Sequence, residues 1–139
     1  MISLKNTLEA IKTKLSAHDK ALSVDYIVEQ GTSGIWTYRK WNSGIAECWG
    51  NNAISGSVSI SYAWGSIYES DTEVGSIAYP SNLFLSTPTF LVTGQNAPII
   101  SVETGGGSST QTPRLYLVRP AQGTAENPIL SLYARGKWK

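Results

Sequence analysis

Charge is scarce in this chain. Asp, Glu, Lys and Arg together make up 15% of its 139 residues, against roughly 25% in an average soluble domain. The charges present nearly cancel, with eleven Lys and Arg facing ten Asp and Glu for a net +1. A nucleic-acid binder needs a basic face, so this balance argues against one. Histidine, cysteine and methionine occur once each. One Cys excludes an internal disulfide framework and a Cys-rich zinc site. One His leaves little for a metal site and argues against a His-dependent nucleophilic site. No apolar run approaches the about 18 residues of a membrane span, so no membrane insertion is expected. The first twenty residues, MISLKNTLEAIKTKLSAHDK, lack a continuous apolar stretch and do not read as a secretory signal.

Apolar residues and aromatics are plentiful. The apolar share is 41%, and there are five Trp, seven Tyr and two Phe. A chain of this length fits one domain that buries about 68% of its unfolded surface.

Near the N-terminus, apolar residues fall at Leu4, Leu8, Ile11, Leu15 and Leu22, and His18 completes the series. The intervals are 4, 3, 4, 3 and 4, the heptad spacing of a coiled coil. Leu8, Leu15 and Leu22 take position a; Leu4, Ile11 and His18 take position d. The other faces carry Lys5, Asn6, Glu9, Lys12, Lys14, Asp19 and Lys20, which suit water. The spacing predicts a stalk over residues 1–22, a rod of roughly 30 Å. Its narrow seam favours a coiled coil over an amphipathic helix packed on its own domain. Leu at a with Ile at d leans away from dimers, and a trimer is the expected count. His18 then faces the stalk axis as a polar layer, or as a cluster of imidazoles around an ion.

From residue 23 to 139 the pattern changes to short apolar runs between turn residues. Expected strands are Asp25–Gln30, Ile35–Trp41, Ile45–Gly50, Val58–Trp64, Ile77–Tyr79, Leu83–Leu85, Thr89–Thr93, Ile99–Glu103, Leu115–Arg119 and Ile129–Gly136. Asn42, Ser43 and Gly44 between Trp41 and Ile45 are a hairpin signal. Strands at intervals of about ten residues suggest a mainly β domain, a β-sandwich of jelly-roll-like type. No second domain or repeat stands out.

Catalytic hardware is thin. Cys48, in an alternating strand, reads as a small buried hydrophobe. Gly105, Gly106 and Gly107 lack the following Lys of a phosphate loop. Glu69, Asp71 and Glu73 recur at every second residue; if extended, they share one face and offer oxygens to a hard cation. A solvated acidic loop is the plainer reading. No cofactor and no metal are expected, and the chain does not read as an enzyme. The aromatics divide into core, subunit interface and a residue or two open to a ligand.

The run Gly34-Ile35-Trp36-Thr37-Tyr38-Arg39-Lys40-Trp41-Asn42-Ser43-Gly44-Ile45-Ala46-Glu47-Cys48-Trp49-Gly50 resembles the C-terminal domains of bacteriophage tail-fibre and related tail receptor-binding proteins. Such domains often open on a phrase like W-x-Y-R-K-W-x-x-G-x-x-E-C-W-G. Supporting elements are Trp64-Gly65-Ser66-Ile67-Tyr68-Glu69, then Tyr79-Pro80 before Phe84, Arg119-Pro120, and Tyr133 to Lys139. The resemblance covers roughly residues 25–139. It implies a homotrimeric β tip on a coiled coil, joined to the rest of the fibre in a virion. It implies attachment to a surface glycan, cell-wall polymer or surface protein of a bacterium. It supplies no motif for binding residues. Candidates come from stacking rings and hydrogen-bonding side chains at loops and strand ends: Trp64, Tyr68, Asp71, Gln95, Asn96 and Gln122. The rival readings are a structural trimerisation module and a glycan depolymerase using Glu69, Asp71 or Glu73.

Overall fold

The computed structural model describes residues 3–22, 24–95 and 101–139. It opens on α1 (Leu4–Leu22). Ser3 caps the helix: its Oγ accepts from the Asn6 amide at 3.3 Å, satisfying one of the donors a helix start leaves orphaned. Among the described residues no strand packs on α1. Leu8, Ile11 and Leu15 remain 53%, 49% and 57% exposed, and Leu4 more so. A helix docked on its own domain is therefore not what this chain builds. The Leu22 side chain is not described. No described helix is long and apolar enough to cross a membrane.

Ten strands follow: β1 (Ile27–Ser33), β2 (Trp36–Trp41), β3 (Ile45–Ala53), β4 (Ser57–Trp64), β5 (Ile67–Ser70), β6 (Thr89–Gly94), β7 (Ser101–Gly105), β8 (Arg114–Arg119), β9 (Gly123–Glu126) and β10 (Ile129–Lys137). They form two five-stranded sheets, ordered β1-β2-β3-β10-β6 and β7-β8-β5-β4-β9. All described strand pairs are antiparallel. The mainly β expectation holds, with two differences in detail. Ile77–Tyr79 and Leu83–Leu85 are not strands; Ala78 makes a single bridge to Gln111. β5 and β9 are strands that the alternation did not announce. Ile99, at the start of another expected strand, lies outside the described residues.

One core joins the sheets. Trp36, Ala46, Cys48, Leu130, Leu132 and Ala134 come from the first sheet, and Val58, Ile60, Leu115, Leu117 and Ala125 from the second. Their spacing of two along each strand is the pleat's own period. The connection after β5 contributes Tyr79, Leu83 and Phe84 to the same core. Trp36 holds this connection through a 2.7 Å hydrogen bond from Nε1 to the Ala78 carbonyl. Tyr79 lies 5.6 Å from the Trp36 ring and meets Phe84 edge-on at 5.1 Å. Leu83 and Phe84 are apolar because they plug the sandwich, not because they pair.

At Gly50 the backbone of β2's entry comes too close for any side chain, since an added Cβ would run into the Ile35 carbonyl oxygen. The buried Ser70 hydroxyl accepts from the Leu117 amide at 3.2 Å and donates to the Thr72 carbonyl at 2.8 Å. Tyr79 differs: its buried hydroxyl has no hydrogen-bond partner among the described residues, and burial pushes its pKa above the ordinary tyrosine value. An unmade buried hydrogen bond costs about 1–3 kcal/mol. Tyr79→Phe should therefore leave stability unchanged or raise it by about 1 kcal/mol in urea unfolding. A clear loss of stability would show that the hydroxyl is satisfied after all.

Candidate functional site

The inward rows of β2, β3, β10 and β6 force the intervening residues onto the outer face of the first sheet. Register fixes which of them meet. Thr37 pairs with Trp49, and Arg39 with Glu47. Trp49 pairs in turn with Tyr133, Glu47 with Arg135, and Asn51 with Ser131. Tyr133 continues to Leu91 and Ser131 to Thr93. On the other side, Gln30 pairs with Arg39 and Thr32 with Thr37. The hairpin that sets this register turns at Gly44, whose φ of 93° suits glycine. Asp25 straps the turn, accepting from the Ser43 amide at 2.9 Å and hydroxyl at 2.7 Å. Those hydrogen bonds hold its carboxyl below the ordinary value.

Arg39 is the centre of the face. Its guanidinium carbon stands 4.6 Å from the Trp49 ring centroid and 5.8 Å from that of Trp41. Its Nε lies 3.2 Å from Glu47 Oε1. The other Glu47 oxygen accepts from the Tyr133 hydroxyl at 2.9 Å. Burial, with the Glu47 hydrogen bond, raises the Tyr133 pKa, so the phenol stays a donor. Stacking and ion pairing thus hold a long, flexible side chain in one place. Beside it a cleft of about 460 Å³ is lined by Gln30, Gly31, Thr32, Thr37, Tyr38, Arg39 and Trp49. Farther along the face, Asn51 Oδ1 accepts from Ser131 Oγ at 3.0 Å and from Gln95 Nε2 at 3.3 Å. Gln95 Nε2 also donates to Ser131 Oγ.

The expected ligand residues do not converge. Gln95 joins the polar cluster on the first sheet. Trp64, Tyr68 and Asp71 lie on and after the β4–β5 hairpin of the second sheet, and Gln122 is exposed in the turn before β9. Asn96 lies outside the described residues. Trp64 is 57% exposed, while Tyr68 packs half-buried on the core.

Asp71 is engaged locally. Hydrogen bonds from Ser59 and Ser61 hold its carboxyl below the ordinary value; the Ser61 amide and hydroxyl donate at 3.1 and 2.7 Å. It clamps β4 where the register shifts between Ile60 and Tyr62, the unpaired residue of a bulge. The acids also do not share a face: Glu69 stands on β5, while Glu73 lies in the following loop and accepts from Ser76 Oγ at 2.8 Å. No group of three metal-ligating side chains assembles among the described residues.

Sequence reasoning missed Arg39, Glu47, Trp49, Asn51 and Tyr133 as one surface. The signal was present: folding the chain back at Asn42–Gly44 sets Arg39 against Glu47 and Thr37 against Trp49.

These two sheets form a tail-fibre-like β fold. In comparison with solved structures, the chain is similar to an N-truncated R1-type pyocin tail fibre, with a TM-score of 0.50 and 14% identity over 88% of this chain and 94% of that one. A C-terminal piece of the P. aeruginosa R1 pyocin fibre also aligns, with a TM-score of 0.47 and 14% identity over 81% of this chain and 28% of that one. No protein-family model matches the chain, and no curated protein shows significant similarity to it.

Cys48 sits between Glu47 and Trp49 on β3 but points inward and is fully buried. Burial pushes its thiol up to about 12, so it stays neutral at ordinary pH and is a poor nucleophile. Iodoacetamide at pH 8 should leave the native protein unmodified and label it only in denaturant, as read by intact mass. Rapid native labelling would contradict this placement.

Proposed function

We propose that the chain is the cell-attachment tip of a phage-tail-like fibre, three copies joined through α1, which binds bacterial surface carbohydrate and does no chemistry on it. The observation that carries this reading is the uncovered heptad seam of α1 on a tail-fibre-like fold. Leu4, Leu8, Ile11 and Leu15 lie in water in a single copy. Full burial of each such side chain is worth about 1.5–3 kcal/mol. Nothing in the same chain supplies that burial among the described residues. Two further copies do so in a parallel coiled coil, with Leu22 and His18 completing the seam.

A parallel stalk places all three β domains at one end, the arrangement a receptor tip needs. Three equivalent sites turn a weak sugar affinity into avidity on a repetitive cell surface. The low net charge limits indiscriminate adhesion to charged walls. The fold likeness to a pyocin tail fibre supports a matching setting for this chain: part of a larger fibre, outside the cell.

Light scattering on the full chain at micromolar concentration should give the mass of a trimer. Leu8→Asp with Leu15→Asp should give monomers whose β-domain circular dichroism is unchanged. The trimer should adsorb to susceptible bacteria, and the monomer more weakly. A monomeric parent chain overturns the stalk; a trimer that adsorbs to no cell overturns attachment and favours an assembly role.

A further inference from the structure

The geometry points to the cleft between β1, β2 and β3 as the sugar site, and to an acidic pyranose, one bearing a carboxylate, as its occupant. This inference rests on the carbohydrate-attachment reading above and names the site and sugar class for it.

The cleft's volume of about 460 Å³ lies in the range of small-ligand sites, about 300–1,000 Å³. Its lining is suited to a sugar. Gln30 offers an amide, Thr32 and Thr37 offer hydroxyls, and Trp49 offers an apolar wall for ring C–H groups. Those polar groups belong to side chains that register sets in adjacent pairs, Gln30 beside Arg39 and Thr32 beside Thr37.

Charge selects the sugar class. The lining holds one cation, Arg39, and no carboxylate. Glu47 Oε1 forms an ion pair with the guanidinium at 3.2 Å from Nε, without a hydrogen bond. Neither terminal nitrogen of Arg39 hydrogen-bonds a described residue. A guanidinium fork with free terminal donors matches the two oxygens of a carboxylate. Glu47 does not cancel the face as a whole, because its cross-strand neighbour Arg135 is exposed and has no carboxylate within 4.0 Å among the described residues. Stacking against Trp49 and Trp41 has already immobilised Arg39, so binding does not have to order it.

The exposed large apolar side chains lie on α1, at Val24 and Tyr26, at Ile27 and Val28 of β1, at Ile35, at Tyr62 and Trp64 of β4, at Leu85 and at Leu91; none of them lines the cleft.

The test is NMR titration of the full-length chain with methyl glucuronide and methyl glucoside, which differ in the carboxylate. The glucuronide should shift the backbone amides of residues 30–32, 37–39 and 49, and should bind about tenfold tighter or more than the glucoside. Arg39→Gln should bring the glucuronide to the glucoside's affinity. Arg39→Lys keeps the charge without the fork, and should retain only part of the preference. Unchanged amide dispersion in both variants certifies the fold. Equal affinity for the two sugars, no saturable binding of the glucuronide, or an unchanged preference in a folded Arg39→Gln chain overturns the site. Cell adsorption separates this from the attachment reading. A parent chain that adsorbs to cells but ignores both sugars removes this site and leaves attachment standing. One that binds the glucuronide but adsorbs to no cell does the reverse.

Discussion

An apolar face in water has to be covered by something, and that one requirement shapes the whole chain. The two sheets meet it internally. Each presents a row of alternate residues to the other, and Ile60, Leu115, Leu117 and Leu130 disappear completely from solvent between them. β10 sits between β3 and β6, so its Leu130, Leu132 and Ala134 enter the core from an inner strand of the first sheet. The helix has the same kind of face, and among the described residues no strand packs on it. Its period of 3.5 residues is the one that a second helix of the same period covers, and the proposed reading assigns that role to another copy.

The same alternation that builds the core also builds the outer surface. Along β2, Trp36 points in and Arg39 and Trp41 point out. Along β3, Ala46 and Cys48 point in, and Glu47 and Trp49 point out. The phrase from Trp36 to Gly50 thus carries two messages in alternate letters. One set of residues closes the sandwich. The other assembles a fixed guanidinium between indoles, with a carboxylate behind it and a cleft in front. Because the core holds the strands, the outer side chains sit on rigid elements, which keeps their geometry in place without a ligand.

Some of this was open to reading from sequence. The heptad from Leu4 to Leu22 marked α1 to the residue, and Asn42-Ser43-Gly44 marked the β2–β3 hairpin. Other parts were hidden for physical reasons. β9 is Gly-Thr-Ala-Glu, with little intrinsic β preference; it is a strand because it pairs with β4 at the sheet's edge. Leu83 and Phe84 share a strand's composition but serve as a plug, a role that depends on where the chain returns. The engagement of Asp71 at the bulge by Ser61 was not legible, because a register shift leaves no trace in composition. The scattered candidates Trp64, Tyr68 and Gln122 were picked residue by residue, whereas the Arg39 face exists only as a product of strand register. Gln95 stands on a polar surface whose other members, Asn51 and Ser131, come from strands far away in sequence.

The central claim is that copies of the chain cover the α1 seam. Amide hydrogen exchange measured on the full chain tests it directly, because an isolated helix of this length is marginal in water. The account predicts that amides of residues 8–18 are protected to an extent comparable with those of β3 and β10. Exchange across α1 at the rate of a free peptide, while the sheets stay protected, would contradict it.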